Sequence, residues 1–225
     1  MNRNIKLTVI LCLVFVALVF LLTYYRVTRN NAAESLSPEE LRELGALVYE
    51  RPVTLSPINL VDQTGETFNE ERLKGKWTFF FFGFTHCPDI CPLTLTELSQ
   101  FYRELKTSQE HLETQIVMVS VDPYRDDAEQ LSRYMSSFDK DFIGLTGPYD
   151  ELSRLAKELY IAHSTPPITE SSHEHHSTDA VEDYVIDHSG NILIINPEGL
   201  YHGFMDTAIQ DDEILRAYRS IKSGY

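Results

Sequence analysis

The chain has 225 residues, enough for one domain with extensions, and 43% of them are hydrophobic, which supplies a core. Its formal net charge of -15 understates the acidity of the folded part. Residues 1–33 hold four basic residues (Arg3, Lys6, Arg26, Arg29) and no acidic one, so the remainder carries 15 Lys+Arg against 34 Asp+Glu, or -19. A nucleic-acid binder needs a basic footprint, and this balance argues against one; the acidity reads as a soluble surface.

Leu7 to Tyr25 is a run of 19 residues without a charge, long enough to span a bilayer core. A signal-peptide apolar region is shorter and ends in a small-residue cleavage site. This run ends in Leu-Leu-Thr-Tyr-Tyr-Arg, with aromatic residues where an interface would lie. Residues 1–29 are therefore expected to be an uncleaved membrane anchor. Cys12 follows Leu11 rather than a small residue, which speaks against a lipoprotein site and for an apolar filler in that helix. Arg3, Lys6 and the terminal amine favour a cytoplasmic N-terminus. The expectation is a single-pass protein of the inner membrane whose domain faces the periplasm, a space that tolerates disulfides.

Residues 30–51 read as a tether and short helix, with Ser37-Pro38-Glu39-Glu40 as a helix start. The folded domain is expected over 52–225. Ile58 to Asp62 reads as a strand followed by the turn Gln63-Thr64-Gly65, and Glu70 to Gly75 as a single helical turn. Trp77 and Phe79-Phe80-Phe81-Phe82 have no alternation, the pattern of a strand buried on both faces. Gly83 allows a close backbone approach at its end. After Cys87 and Cys91 a helix is expected from Pro92 to Lys106, with Leu98, Phe101, Tyr102 and Leu105 on one face. Gln115 to Val121 is a second buried strand, stopped at Asp122-Pro123. A helix over 127–138, a strand over 142–145 and a helix over 149–160 follow. Residues 162–180, rich in Ser, Thr, Pro and His, read as a loop. Asp183 to Asp187 and Ile192 to Asn196 are expected to pair across a turn at His188-Ser189-Gly190-Asn191. A short strand over 200–204 and a helix over 211–222 close the chain. Strands alternating with helices imply parallel pairing through crossovers. The whole is an α/β thioredoxin-like arrangement, a central mixed sheet with helices on both faces.

The chemistry sits at the corner between the aromatic strand and its helix. Cys87 and Cys91 are separated by three residues, which lets the sulfurs converge on one ion or close a disulfide. Two soft thiolates suit Cu(I), zinc or a redox pair, and two cysteines alone do not fill a tetrahedral zinc site. Helix N–H groups at such a corner favour the negative thiolate. His86 is next to Cys87, but adjacent side chains in an extended stretch point apart. His173, His175 and His176 form a tract that either holds metal weakly or is a solvated loop. His111, His163 and His202 have no constellation around them, and His188 alone reads as a turn histidine.

Four stretches resemble, in order, the Sco/SenC family: Phe84-Thr85-His86-Cys87-Pro88-Asp89-Ile90-Cys91-Pro92, Ser120-Val121-Asp122-Pro123-Tyr124-Arg125-Asp126, Phe142-Ile143-Gly144-Leu145-Thr146-Gly147 and Asp183-Tyr184-Val185-Ile186-Asp187-His188-Ser189. The resemblance covers about residues 52–222. It implies a membrane-anchored, thioredoxin-like copper protein used in assembling cytochrome c oxidase, with copper, Cu(I) or Cu(II), held by Cys87, Cys91 and His188. The implied partners are the copper-bearing oxidase subunit and other copper-delivery proteins. The physics agrees, since two thiolates and an imidazole suit copper. The Cys-x3-Cys spacing is wider than thioredoxin's Cys-x2-Cys. Phe80 and Phe84 stand where a peroxiredoxin carries Pro and Thr, which disfavours a peroxidase. Three functions stay open: a metallochaperone, a thiol–disulfide oxidoreductase using Cys87 and Cys91 to keep the oxidase cysteines reduced, and a redox or copper sensor.

Overall fold

The computed structural model of the protein describes residues 3–30, 35–161, 190–207 and 209–225, with side chains of the first helix described over 10–23. The expected strand at 183–187, His188 and the 162–180 loop with His173, His175 and His176 lie outside the described residues. The chain divides into two units, residues 1–36 with 218–225 and residues 37–217.

In the first unit, α1 runs Arg3–Asn30. Its side chains between Ile10 and Thr23 are exposed and, but for Thr23, apolar or sulfur-bearing, with Phe20 at 72%. Among the described residues no helix is long and apolar enough to cross a membrane. The expected transmembrane anchor is therefore not confirmed. In the same unit the Leu36 N–H donates to Ser220 Oγ at 2.8 Å.

The second unit is built on one eight-stranded sheet. Its strands are β1 (Ala46–Thr54), β2 (Leu60–Asp62), β3 (Thr67–Phe68), β4 (Trp77–Gly83), β5 (Thr114–Ser120), β6 (Ile143–Thr146), β7 (Asn191–Ile195) and β8 (Leu200–Asp206), in the spatial order β1-β8-β7-β4-β5-β6-β2-β3. The centre is parallel, β4 against β5 from Trp77↔Thr114 to Gly83↔Ser120 and β5 against β6. β7 and β8 add antiparallel to β4, and β2 and β3 add antiparallel to β6. The mixed sheet expected from the alternation of strands and helices is thus present.

Among the described residues this unit also holds the helices α2 (Pro38–Glu43), α3 (Ile90–Ser108), α4 (Ala128–Ser136) and α5 (Tyr149–Glu158), and α6 (Asp211–Gly224) begins in it. α2 begins with a capping box in which the Glu40 N–H donates to Ser37 Oγ and the Ser37 N–H donates to the Glu40 carboxylate at 2.8 Å. Every residue of β4 is buried. Phe79 meets Phe101 of α3 with ring centroids 5.1 Å apart, and Phe80 meets Phe68 at 6.3 Å. Adjacent side chains of a strand point to opposite faces, so both faces are covered, which explains the loss of alternation. Leu98, Phe101, Tyr102 and Leu105 are all buried on α3, as its periodicity predicts.

The longest strand missing from the sequence reading is β1. Ala46 to Glu50, assigned there to the tether, belong to β1, which pairs antiparallel with β8. Its middle, Glu50-Arg51-Pro52, carries two charges and a proline, and the pairing shifts between Val48 and Val53. An edge strand tolerates both features because one side makes no ladder bonds. α5 also stops earlier than Tyr160. That residue takes the left-handed conformation (φ 59°), and the Ile161 N–H closes the helix on the Ala156 carbonyl at 2.8 Å.

Candidate metal and redox centre

β4 delivers the chain to the carboxyl edge of the parallel strands, where ligand sites form in open α/β sheets. The next residues do not continue extended. The Cys87 N–H donates to the Phe84 carbonyl at 3.2 Å, so Phe84 to Cys87 is a tight turn. α3 then starts at Ile90, one residue before Cys91. Both thiols are free; Cys87 is half-buried and Cys91 fully buried. Their side chains are hydrogen-bonded to one another. Thus the two expected donors are brought together.

The expected electrostatics are only partly present. Cys91 lies in the first turn of α3, yet burial pushes its thiol well above the ordinary range. The hydrogen bond to Cys87 and the charge of Asp126 add to that rise, against a lowering bond to the Phe84 backbone. Desolvation of a thiolate outweighs the helix terminus here. A bound metal ion would offset this cost, because ligation to the metal takes the place of the thiol proton.

Beneath the turn lies a buried polar cluster that the sequence reading did not single out. Asp126 is 0% exposed. Its carboxylate accepts from the Thr85 N–H at 3.0 Å, from Thr85 Oγ1 at 2.6 Å and from Ser120 Oγ at 2.7 Å. Burial still pushes Asp126 up, against the bonds from Thr85 and Ser120 and with help from Asp122. Asp122 is paired with Arg125, whose guanidinium lies 5.9 Å from the centre of the Phe84 ring. The Asp122-Pro123 strand end was legible; its service to the cysteine turn, through Asp126, was not, because residues 85 and 126 meet only once β4 and β5 are paired.

Two further side chains border the thiols. His86 is half-exposed, with Nδ1 3.0 Å from Thr85 Oγ1 and 3.9 Å from Asp126 Oδ1. Tyr134 of α4 has a buried hydroxyl without a hydrogen-bond partner among the described residues. Burial pushes its phenol up, followed by the charges of Cys91, Cys87 and Asp126, which puts it in their electrostatic neighbourhood. Among the described residues no three His, Cys, Asp or Glu side chains form a ready metal site. His188, the third expected donor, is not among them. Elsewhere His202 packs edge-on against Trp77 at 5.4 Å and burial lowers its pKa, while the ring of His111 meets Tyr102 at 6.2 Å. Neither joins the centre.

A family model described as SCO1/SenC matches residues 49–223 of the chain. A Stutzerimonas stutzeri protein, provisionally named as copper-binding, is 35% identical over 181 residues, covering 80% of this chain and 83% of that one. The mitochondrial protein SCO2 of Saccharomyces cerevisiae is 39% identical over 145 residues, 64% of this chain and 45% of its own length, so the match spans less than half of that relative. The crystal structure of yeast Sco1 with copper bound superposes with a TM-score of 0.68 at 30% identity, covering 77% of this chain and 91% of that one.

Proposed function

Since the chain belongs to the SCO1/SenC family, we propose that it is a copper metallochaperone that binds copper through Cys87, Cys91 and His188 and delivers it to the dinuclear copper centre of cytochrome c oxidase during assembly. The donor set fits the cargo: two thiolates and an imidazole are soft-to-borderline ligands that select copper over hard cations. One observation carries the third donor. β7 lies antiparallel to β4, with Ile192 opposite Phe81, so its first residues point back toward the cysteine turn. A Cβ built on Gly190 would stand 3.7 Å from Ile90 Cγ1, beside Cys91. His188 is two residues earlier, and two residues of chain reach at most about 7 Å.

Cu(I) titration of the full-length protein tests this. The wild type is expected to take up one Cu(I), Cys87→Ser to lose tight binding, and His188→Ala to bind more weakly while still forming the Cys87–Cys91 disulfide. Unchanged affinity and an unchanged copper spectrum in His188→Ala would remove that residue from the site.

A thiol–disulfide oxidoreductase is the second reading, favoured by the unequal exposure of the two sulfurs. Cys87, the accessible one, would attack, and buried Cys91 would resolve. That activity would survive His188→Ala, which separates the readings.

The place of action proposed is the periplasmic face of the inner membrane, with residues 1–29 as a retained anchor. Its support is the uncharged run from Leu7 to Tyr25 and the exposed apolar side chains of α1. The mass of the membrane-extracted protein decides it, since a mature N-terminus near Glu34 refutes an uncleaved anchor.

A further inference from the structure

Thr85 Oγ1 has one proton and directs it at Asp126 Oδ1, 2.6 Å away. The carboxylate is fully buried and also takes bonds from the Thr85 N–H and from Ser120, so its place and orientation are fixed. Thr85 Oγ1 can therefore only accept from its other neighbours. Gln130 Nε2 donates to it at 3.2 Å, and His86 Nδ1 lies at 3.0 Å. A contact with an acceptor requires the proton on Nδ1. The neutral ring then carries its lone pair on Nε2. A carboxylate behind the other nitrogen is the arrangement that orients metal-ligating histidines and raises their basicity; here the hydroxyl of Thr85 relays it.

Among the described candidate donors His86 is also the outermost. Its side chain is 50% exposed, Cys87 is half-buried and Cys91 is buried. An approaching copper complex thus meets an imidazole nitrogen before it meets the inner sulfur. His86 is not gathered with the two cysteines into a resident site among the described residues, which suits a donor used in passing.

We propose that His86 is a transfer ligand, whose Nε2, presented by the positioning residues Thr85 and Asp126, takes copper as it enters or leaves the Cys87–Cys91 pair. The step rests on the copper-binding reading above. It is ligand exchange without redox. Nε2 bonds to Cu(I) as one donor of the incoming complex leaves. The Cys87 and Cys91 sulfurs then displace Nε2, and their protons pass to solvent base. Release is the reverse. An outer ligand that is vacated at the end lowers the barrier in both directions and leaves the equilibrium unchanged.

Stopped-flow exchange of Cu(I) between the full-length protein and bicinchoninate tests the proposal, with equilibrium affinity measured on the same samples. In His86→Ala both uptake and release are expected to slow by about tenfold, with the affinity retained, and Thr85→Val to slow both by a smaller factor. Nitrogen-15 NMR of the metal-free protein gives a readout independent of copper: the His86 ring is expected as the Nδ1–H tautomer in the wild type and as a tautomer mixture in Thr85→Val. Unchanged rates in His86→Ala with copper still bound overturn the transfer role alone. So does an Nε2–H tautomer in the wild type. A lost affinity in His86→Ala would make His86 a resident ligand and also overturns it. A wild type that binds no Cu(I) overturns the copper reading and this inference together.

Discussion

Gly83 lies against the sulfur of Cys91: a Cβ built at residue 83 would stand 3.1 Å from Cys91 Sγ and 2.8 Å from Phe81 Cε1. The last residue of β4 thus has no side chain because the first turn of α3 sets its buried thiol on that spot. Gly83→Ala is expected to cost about 1–3 kcal/mol of stability, the usual range for overfilling a packed core. It should also displace Cys91 and weaken Cu(I) binding. Denaturant unfolding and Cu(I) titration check both effects. Wild-type values in each would mean that the corner has slack.

Tyr134 has a buried hydroxyl without a hydrogen-bond partner among the described residues, near two thiols. Tyr134→Phe is expected to stabilise the metal-free protein by about 1 kcal/mol, by removing an unsatisfied polar group. The same change is expected to weaken Cu(I) binding, because a metal-bound thiolate is a strong acceptor that the phenol can serve. Paired unfolding and titration experiments read the two signs. Destabilisation of the metal-free form would show that the hydroxyl is already bonded.

Oxidation to a Cys87–Cys91 disulfide is expected to switch copper binding off, since ligation requires thiolates and the same two sulfur atoms serve both states. Cys12 is a single thiol and is not expected to replace the pair. Cu(I) is titrated into oxidised and reduced full-length protein after loss of the thiols is confirmed. Comparable tight binding by both would show that the cysteines are not the principal ligands.

Asp62 gives a pH dependence remote from the centre. Burial pushes its carboxyl up, but bonds from the Thr64 side chain, the Arg72 guanidinium and the backbone N–H groups of Thr64 and Glu66 outweigh this and hold it below 3.8, the ordinary value. A depressed carboxylate contributes stability that is present above its unfolded pKa and is lost as pH falls through the folded one. Unfolding midpoints are therefore expected to drop as pH goes below about 4, and Asp62→Asn to remove part of that dependence. An identical pH profile in the variant would show that the network contributes nothing.

The sequence by itself determined the parts whose signal is local. The aromatic run announced a strand buried on both faces, the Ser-Pro-Glu-Glu start announced α2, and the four-residue recurrence of Leu98, Phe101, Tyr102 and Leu105 announced the inner face of α3. The two cysteines at the strand-to-helix corner were legible for the same reason, since strand, turn and helix each leave their mark within a few residues. β1 was not, because an edge strand with two charges and a proline has no hydrophobic period, and only its pairing with β8 defines it. The order of the sheet, which sets β7 beside β4 and brings Gly190 to Ile90, was likewise decided by long-range pairing. Only the tertiary structure joined Thr85 to Asp126 across 41 positions and turned His86 toward them. A buried carboxylate must find its donors wherever the packed strands bring them, and no spacing along the chain records which ones those are.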